Sequence, residues 1–286
     1  MKTFITRTTT ALIFGAVMIS GLLYSEQSFF LLFLLINAGC LWEYFGLIRG
    51  FQDYHKINNT VYRIIGVSIG TLIYCALAVF AAGNMSVIYL FDIFPLLFLM
   101  LVLEIYSLSE KAIVNAALNI LGLLYISIPF GLLHFFTIIN YNSASWLEHV
   151  KVPMAILFFI WANDSFAYIG GSLIGKRKLF PSLSPKKSWE GFIIGIIGSV
   201  TISIIAYQYI SYITLVDWIV IAILVSVTGT IGDLFESMIK RNLKIKDSGN
   251  LLPGHGGLLD RFDAFIFCIP FVYAYLSWRD YINIFI

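Results

Sequence analysis

Residues His255 to Trp278 read HGGLLDRFDAFIFCIPFVYAYLSW. From Phe262 onward the run is almost wholly apolar, the composition of a helix that dissolves in lipid. At its mouth stand Asp260, Arg261 and Asp263, behind a pliable Gly256-Gly257 pair. Ionised groups are expensive beside a membrane interior, so something must compensate for them. The stretch therefore predicts a membrane helix whose opening carries chemistry.

The whole chain supports the first half of that reading. Of its 286 residues 59% are hydrophobic and 12% charged, with a mean hydropathy of +0.89. A soluble domain carries about 25% charged residues, so this chain lacks the polar surface to stay dissolved. Cys40, Cys75 and Cys268 lie in apolar runs without a CxxC pair, which points to neither a disulfide framework nor a zinc site. The N-terminal segment has Lys2 and Arg7 before an apolar stretch. With no convincing cleavage site after it, it reads as a retained first helix.

Spanning helices need roughly 20 mostly apolar residues. By that measure the sequence predicts an all-α polytopic membrane protein with about nine transmembrane helices. They fall near 8–25, 28–48, 61–83, 86–106, 112–138, 152–174, 191–212, 216–236 and 262–279, the fifth kinked by Pro129. With the N-terminus inside, sixteen of the 18 Lys and Arg residues fall on the cytoplasmic side and only Lys151 and Arg279 outside. That asymmetry predicts an N-in, C-out topology. Residues 175–190 and 237–261, with five basic residues each, then share the cytoplasmic face. Residues 1–150 read as a scaffold of about five helices, and 151–286 as a catalytic membrane domain of about four.

Four constellations stand out after Trp161. In WANDSFAY (161–168) Asn163 and Asp164 lie inside an apolar segment, where a carboxylate marks a site lined by water, metal or a partner charge unless it merely ties two helices together. GGSLIGKRKLFPSLSPKKSWEG (170–191) has glycines suited to tight turns or close approach. Its Ser184, Lys186 and Lys187 suit phosphate, although a solvated cytoplasmic loop would account for the lysines alone. On a helix Asp233, Ser237, Lys240, Arg241 and Lys244 form one stripe, which by itself could be a simple ion-pair ladder. Beyond it Asp260 and Asp263, spaced i,i+3, share one face of the last helix, where capping alone would need only one acid. Carboxylates suit Mg²⁺ through oxygen ligands, and metal with cations suits a polyphosphate.

The run Ser237-x-Ile239-Lys240-Arg241, then Lys246-Asp247-x-Gly249, then Leu252-Pro253-x-His255-Gly256-Gly257-Leu258-x-Asp260-Arg261-Phe262-Asp263 resembles the signature of the CTP:phosphatidate cytidylyltransferase (CDP-diacylglycerol synthase) family. Trp161-x-Asn163-Asp164-x-x-Ala167-Tyr168 and Ser184-Pro185-Lys186-Lys187-Ser188-Trp189-Glu190-Gly191 also resemble it, with Ser188 where Thr is usual. Over 1–160 the likeness rests on helix count and on short matches such as Trp42-Glu43-Tyr44 and Tyr125.

The resemblance implies a dimeric enzyme of the cell membrane with its active site on the cytoplasmic face. Such an enzyme joins CTP and phosphatidic acid into CDP-diacylglycerol and releases pyrophosphate. It implies Mg²⁺, with a potassium-type ion associated with the metal centre, and no nucleic-acid partner. Carried onto this sequence, it points to Asp164, Asp233, Asp260 and Asp263 around the metal. It assigns Asp233, Asp260, Asp263, Lys240, Arg241 and Asp247 to catalysis. Asn163, Ser184, Lys186, Lys187, Ser237, Lys246, His255, Gly256, Gly257 and Arg261 are assigned to substrate.

Three other classes compete. A transporter could use Glu43, Glu104 and Asp164 along an ion path, but it should scatter polar groups across the bilayer, often in an inverted repeat. A CDP-alcohol phosphotransferase would space its aspartates differently from residues 247–263. A CTP-dependent lipid kinase of related fold is the nearest competitor, and would release CDP instead of pyrophosphate.

Overall fold

The computed structural model describes residues 2–48, 59–83, 91, 93–107, 109–138, 145–210, 212–249, 251 and 256–285. Its helices are α1 (Lys2–Leu23), α2 (Glu26–Leu47), α3 (Asn59–Ala81), α4 (Ile93–Ser107), α5 (Ala112–Gly122), α6 (Ile128–Leu132), α7 (Trp146–His149), α8 (Lys151–Ile174), α9 (Trp189–Tyr209), α10 (Leu215–Asn242) and α11 (Leu259–Phe285). Among the described residues, helix falls within every expected apolar segment, and residues 86–90 and 92 of the fourth lie outside the described residues. Six helices among the described residues are long and apolar enough to cross a membrane: Glu26–Leu47, Thr60–Ala81, Ala112–Ile138, Lys151–Ile174, Trp189–Tyr209 and Leu215–Asn242. Thr8–Leu23 and Ile93–Tyr106 are shorter apolar helices. The chain is an all-α polytopic membrane protein with, among the described residues, one departure, a short hairpin of strands β1 (Lys178–Phe180) and β2 (Ser184–Ser188). The lysine-bearing segment Ser184–Ser188 is thus the second arm of an antiparallel pair.

Two compact units make up the chain. One comprises Met1–Ile138 with Leu243–Phe262, the other Ile139–Asn242 with Asp263–Ile286. The division at residue 150 separates scaffold-like from chemistry-bearing sequence, whereas packing groups the loop after α10 with the N-terminal helices.

In the first unit, α2 begins on a reciprocal cap. Ser28 N–H donates to Ser25 Oγ at 3.1 Å and Ser25 N–H to Ser28 Oγ at 2.9 Å. The buried face of α2, including Phe29, Phe33, Ile36, Cys40, Leu41 and Tyr44, follows helical spacing. On its other side Leu31 and Leu35 are 53% and 69% exposed. A helix apolar all round belongs in lipid. The segment 112–138 contains a π-turn at Leu123–Ser127 and ends in a 3₁₀ stretch, Leu133–Ile138. Pro129 has no N–H for the carbonyl of Tyr125, and the π-turn at Leu123–Ser127 lies in the turn just before it.

The second unit is organised by a seam of small residues between α8 and α9. A β-carbon on Gly191 would come within 2.7 Å of the Ala167 carbonyl oxygen and 3.0 Å of Gly171 Cα. One on Gly195 would come within 2.7 Å of Asn163 Oδ1. In lipid, helices associate through such close backbone contact. Gly170 and Gly171, one expected source of tight turns, lie inside α8 and serve approach instead.

Candidate active site

The hairpin between α8 and α9 is held by the start of α9. Ser188 caps that helix by accepting from Gly191 N–H at 3.2 Å. A threonine hydroxyl would serve equally, which accounts for the interchange noted above. The Glu190 carboxylate accepts from the backbone N–H of Lys176 at 3.1 Å and of Arg177 at 3.2 Å, and Trp189 N–H donates to the Arg177 carbonyl at 2.9 Å. These bonds fix the β2 lysines relative to α9.

Beside the hairpin the second unit forms an open cavity of about 350 Å³, lined by Asn163, Asp164, Tyr168, Lys186, Lys187 and Thr230 among others. The Lys187 ammonium is ion-paired with Asp233. Asp263, 8% exposed, lies within electrostatic reach of Asp233, Asp164 and Lys187, and its Oδ1 accepts from Ala264 N–H at 2.7 Å. Gly232 makes room for this, since a β-carbon there would come within 2.5 Å of the Asp263 carbonyl oxygen. Three carboxylates therefore face one paired ammonium. At short range and reduced dielectric such like charges repel by several kcal/mol unless neutralised, so the cluster favours a cationic ligand.

In the first unit the loop after α10 is clasped by two carboxylates. Asp260 Oδ2 accepts from Ser248 N–H at 2.9 Å and Gly257 N–H at 2.8 Å. Glu43, on α2 and 4% exposed, accepts from Ser248 Oγ at 3.0 Å and from the N–H groups of Leu258 and Leu259 at 2.9 Å each. Gly256 has φ +82°, where an L side chain would be strained, and a β-carbon there would lie 2.8 Å from Asp260 Oδ2.

The cytidylyltransferase family model matches residues 5–278. The chain belongs to the cytidylyltransferase family. It is 34% identical over 220 residues to a phosphatidate cytidylyltransferase of Staphylococcus haemolyticus (strain JCSC1435), covering 75% of this chain and 81% of that protein. To one of Bacillus subtilis (strain 168) it is 37% identical over 186 residues, 64% of each chain. To one of Staphylococcus aureus (strain COL) it is 34% identical over 206 residues, 71% of this chain and 75% of that protein.

In this cytidylyltransferase the residues singled out from sequence have varied surroundings. Asn163, Asp164, Lys186 and Lys187 line the cavity, and Asp233 and Asp263 adjoin it through Lys187 and charge. Ser184 opens β2 and is half-buried. Ser237 Oγ donates to Asp233 Oδ1 at 3.3 Å along α10. Lys240, also on the stripe, is 8% exposed and pairs with the fully buried Glu236 at 2.8 Å. Arg241, Lys246, Asp247 and Arg261 are exposed. His255 lies outside the described residues. Among the described residues no set of three or more His, Cys, Asp or Glu side chains is arranged as a ready ligand set.

Three contributors escaped the reading of the sequence. Glu236 is i−4 to Lys240, a spacing that could have flagged the pair. Glu190 belongs to a quoted motif without a role there. Glu43 entered as a step on an ion path and in the short match Trp42-Glu43-Tyr44, without a role in the site. Glu43 instead accepts three protein donors, and Glu104 is bonded by Tyr62 and by Asn119, at 2.8 Å for the latter. Both carboxylates are engaged inside the fold, unlike an ion pathway's.

Proposed function

We propose that this chain is a phosphatidate cytidylyltransferase, transferring CMP from CTP to phosphatidic acid to give CDP-diacylglycerol and pyrophosphate. The observation that carries this reading is the family match over residues 5–278, a span that contains every residue lining the cavity. The cavity's chemistry supports it. Lys186 and Lys187 suit phosphate oxygens, and the exposed apolar residues Phe166, Leu173, Ile193 and Ile197 on α8 and α9 suit the acyl chains of a lipid substrate.

The lipid phosphate needs no strong base, because a phosphate monoester with a second pKa of about 6 is largely ionised at neutral pH. One of its oxygens attacks the α-phosphorus of CTP, the α–β anhydride bond breaks, and pyrophosphate leaves with the bonding pair. What opposes the step is repulsion between two anions. Lys186 screens incoming phosphate, and Lys187, held by Asp233, is oriented toward the same charge. Glu190 and Ser188 keep both lysines in place. The family resemblance alone assigns Gly256 and Gly257 to substrate, and the Gly257 N–H is taken by Asp260.

Asp164, Asp233 and Asp263 would hold a Mg²⁺ ion. The fit rests on donor chemistry: all three offer oxygen, and the three carboxylates outnumber the one ammonium paired within the cluster. When bound, such an ion supplies Lewis-acid polarisation of phosphoryl oxygens. A potassium-type ion beside it, assembly as a homodimer, nine spans with N-in, C-out orientation and a cytoplasmic active site belong to the same proposal. Basic-residue asymmetry supports the orientation.

Purified protein given CTP and phosphatidic acid, with and without Mg²⁺, tests the reading. Formation of CDP-diacylglycerol with an equal amount of pyrophosphate is expected. Release of CDP with a phosphorylated lipid would assign the chain to lipid kinases instead.

A further inference from the structure

Five basic residues crowd the segment between α8 and α9: Lys176, Arg177, Lys178, Lys186 and Lys187. Two of them are balanced, Lys187 by its ion pair with Asp233 and Arg177 by the field of Glu190. Among the described residues Lys176, Lys178 and Lys186 make no ion pair. All three are exposed. The hairpin that carries them is closed locally: Pro181 stands second in its turn, where its fixed φ fits, and Leu183 N–H donates to the Phe180 carbonyl at 3.3 Å. Side chains alternate along a strand. Leu179 lines the cavity, so Lys178 and Phe180 project from the opposite face of β1. Phe180 is 47% exposed there, and Trp189, at the base of the hairpin, is 48% exposed.

Where the hairpin stands decides what such a face meets. The helices on either side of it, α8 and α9, are both long and apolar enough to cross a membrane, so the hairpin emerges at the membrane surface. That layer offers apolar contact and phosphate charge side by side, and aromatic rings and lysine side chains settle there. We propose that the exposed face of the β1–β2 hairpin, Lys178 and Phe180 with Lys176 and Trp189 at its base, docks on the anionic phospholipid headgroups of the bilayer and gathers anionic lipid at the mouth of the cavity. Charge complementarity carries the choice of occupant, since three cations without a protein partner stand where lipid phosphates lie. Lys186 joins the two regions, being exposed and also lining the cavity. Docking does not depend on the activity proposed above; gathering rests on the reading that the cavity takes phosphatidic acid. A dissolved nucleotide would satisfy the lysines but would leave the exposed rings of Phe180 and Trp189 without a partner.

The test reconstitutes the full-length protein in phosphatidylcholine vesicles with or without phosphatidylglycerol, an anionic lipid other than the proposed substrate. A polarity-sensitive fluorophore is attached to Ser182→Cys, in the turn, with Cys40, Cys75 and Cys268 replaced by alanine. Phosphatidylglycerol is expected to shift its emission to the blue, and high salt to reverse the shift by screening. Lys178→Gln should need about fivefold more phosphatidylglycerol for half the shift, the equivalent of about 1 kcal/mol for one lysine at an anionic surface. Lys176→Gln with Lys178→Gln should need about 25-fold more. A second measurement keeps the native cysteines and reads CDP-diacylglycerol formation. The half-saturating mole fraction of phosphatidic acid should rise by the same factors, while kcat at saturation stays within about twofold. Emission that ignores phosphatidylglycerol, or that responds equally in Lys178→Gln, overturns the docking surface. So does an equal shift produced by CTP or pyrophosphate on vesicles of phosphatidylcholine alone, which would give the face to a dissolved anion. A fall in kcat at an unchanged half-saturating fraction overturns the gathering role, and this measurement decides alone if the cysteine-free protein does not accumulate. Absence of any CDP-diacylglycerol would sink the proposed activity, and the emission would still decide the docking surface.

Discussion

Asp260 and Asp263 share a helix face but meet different partners, so replacing each with asparagine should give different results. Asp263 is buried within reach of two further carboxylates and one ammonium. Two like unit charges about 6 Å apart at an effective dielectric of about 20 repel by about 3 kcal/mol. Discounted for Lys187, the gain from neutralising Asp263 is on the order of 1–2 kcal/mol, or roughly 2–6 °C in melting temperature. Asp263→Asn should therefore melt higher than wild type without divalent ions, and Mg²⁺ should stabilise it less. Its turnover should fall at least about 100-fold, equivalent to about 2.7 kcal/mol of transition-state stabilisation. Asp260→Asn differs because both amides meet one oxygen, Oδ2, which the amide carbonyl can replace. Weakening two charge-assisted bonds to neutral ones costs about 1 kcal/mol each, so the loss of turnover should be no more than about 30-fold. Differential scanning fluorimetry in detergent with a CDP-diacylglycerol assay reads both quantities. A lower melting temperature with near-normal turnover in Asp263→Asn would refute the reasoning.

Cysteines placed at Ser182 and Asn250 in a background lacking native cysteines should label only from the cytoplasmic side, and one at Asn84 only from outside; labelling of 182 and 250 from opposite sides would break the proposed orientation. Gly191→Val, which drives side-chain atoms into the Ala167 carbonyl, should cost about 2–4 kcal/mol and leave little monodisperse protein, whereas normal stability would remove the α8–α9 seam from the account. Direct displacement inverts the α-phosphorus, so chiral α-thio-CTP should give inverted product; retention, or a trapped cytidylyl-protein, would overturn the single-step mechanism.

The helices were legible because lipid-soluble segments announce themselves by length and apolarity, and helix falls within each expected segment as far as its residues are described. Their ends were less so. Apolar character stops near residue 236, yet α10 continues to Asn242 because polar residues such as Lys240 and Glu236 stabilise one another along it. The hairpin was missed because three- and five-residue strands leave no periodic pattern in a lysine-rich loop. Asp164, Lys186 and Lys187 could be picked out as charged residues in or beside apolar sequence, and they line one cavity. The clasp on the loop could not be read in this way. It depends on Glu43 meeting amides more than two hundred residues away, and an amide's partner leaves no trace in residue type. Glycine was ambiguous for a similar reason, since Gly191 serves helix contact and Gly256 a positive φ, though both look alike in sequence.

The central claim, that the chain transfers the cytidylyl group of CTP to phosphatidic acid, is tested most directly by following phosphorus. CTP labelled at the α-phosphate and CTP labelled at the γ-phosphate are supplied in parallel to the purified protein with phosphatidic acid and Mg²⁺. The account predicts that α-label appears in the lipid product and γ-label in pyrophosphate, in equal amounts. Transfer of γ-label to the lipid, with α-label released as CDP, would contradict it.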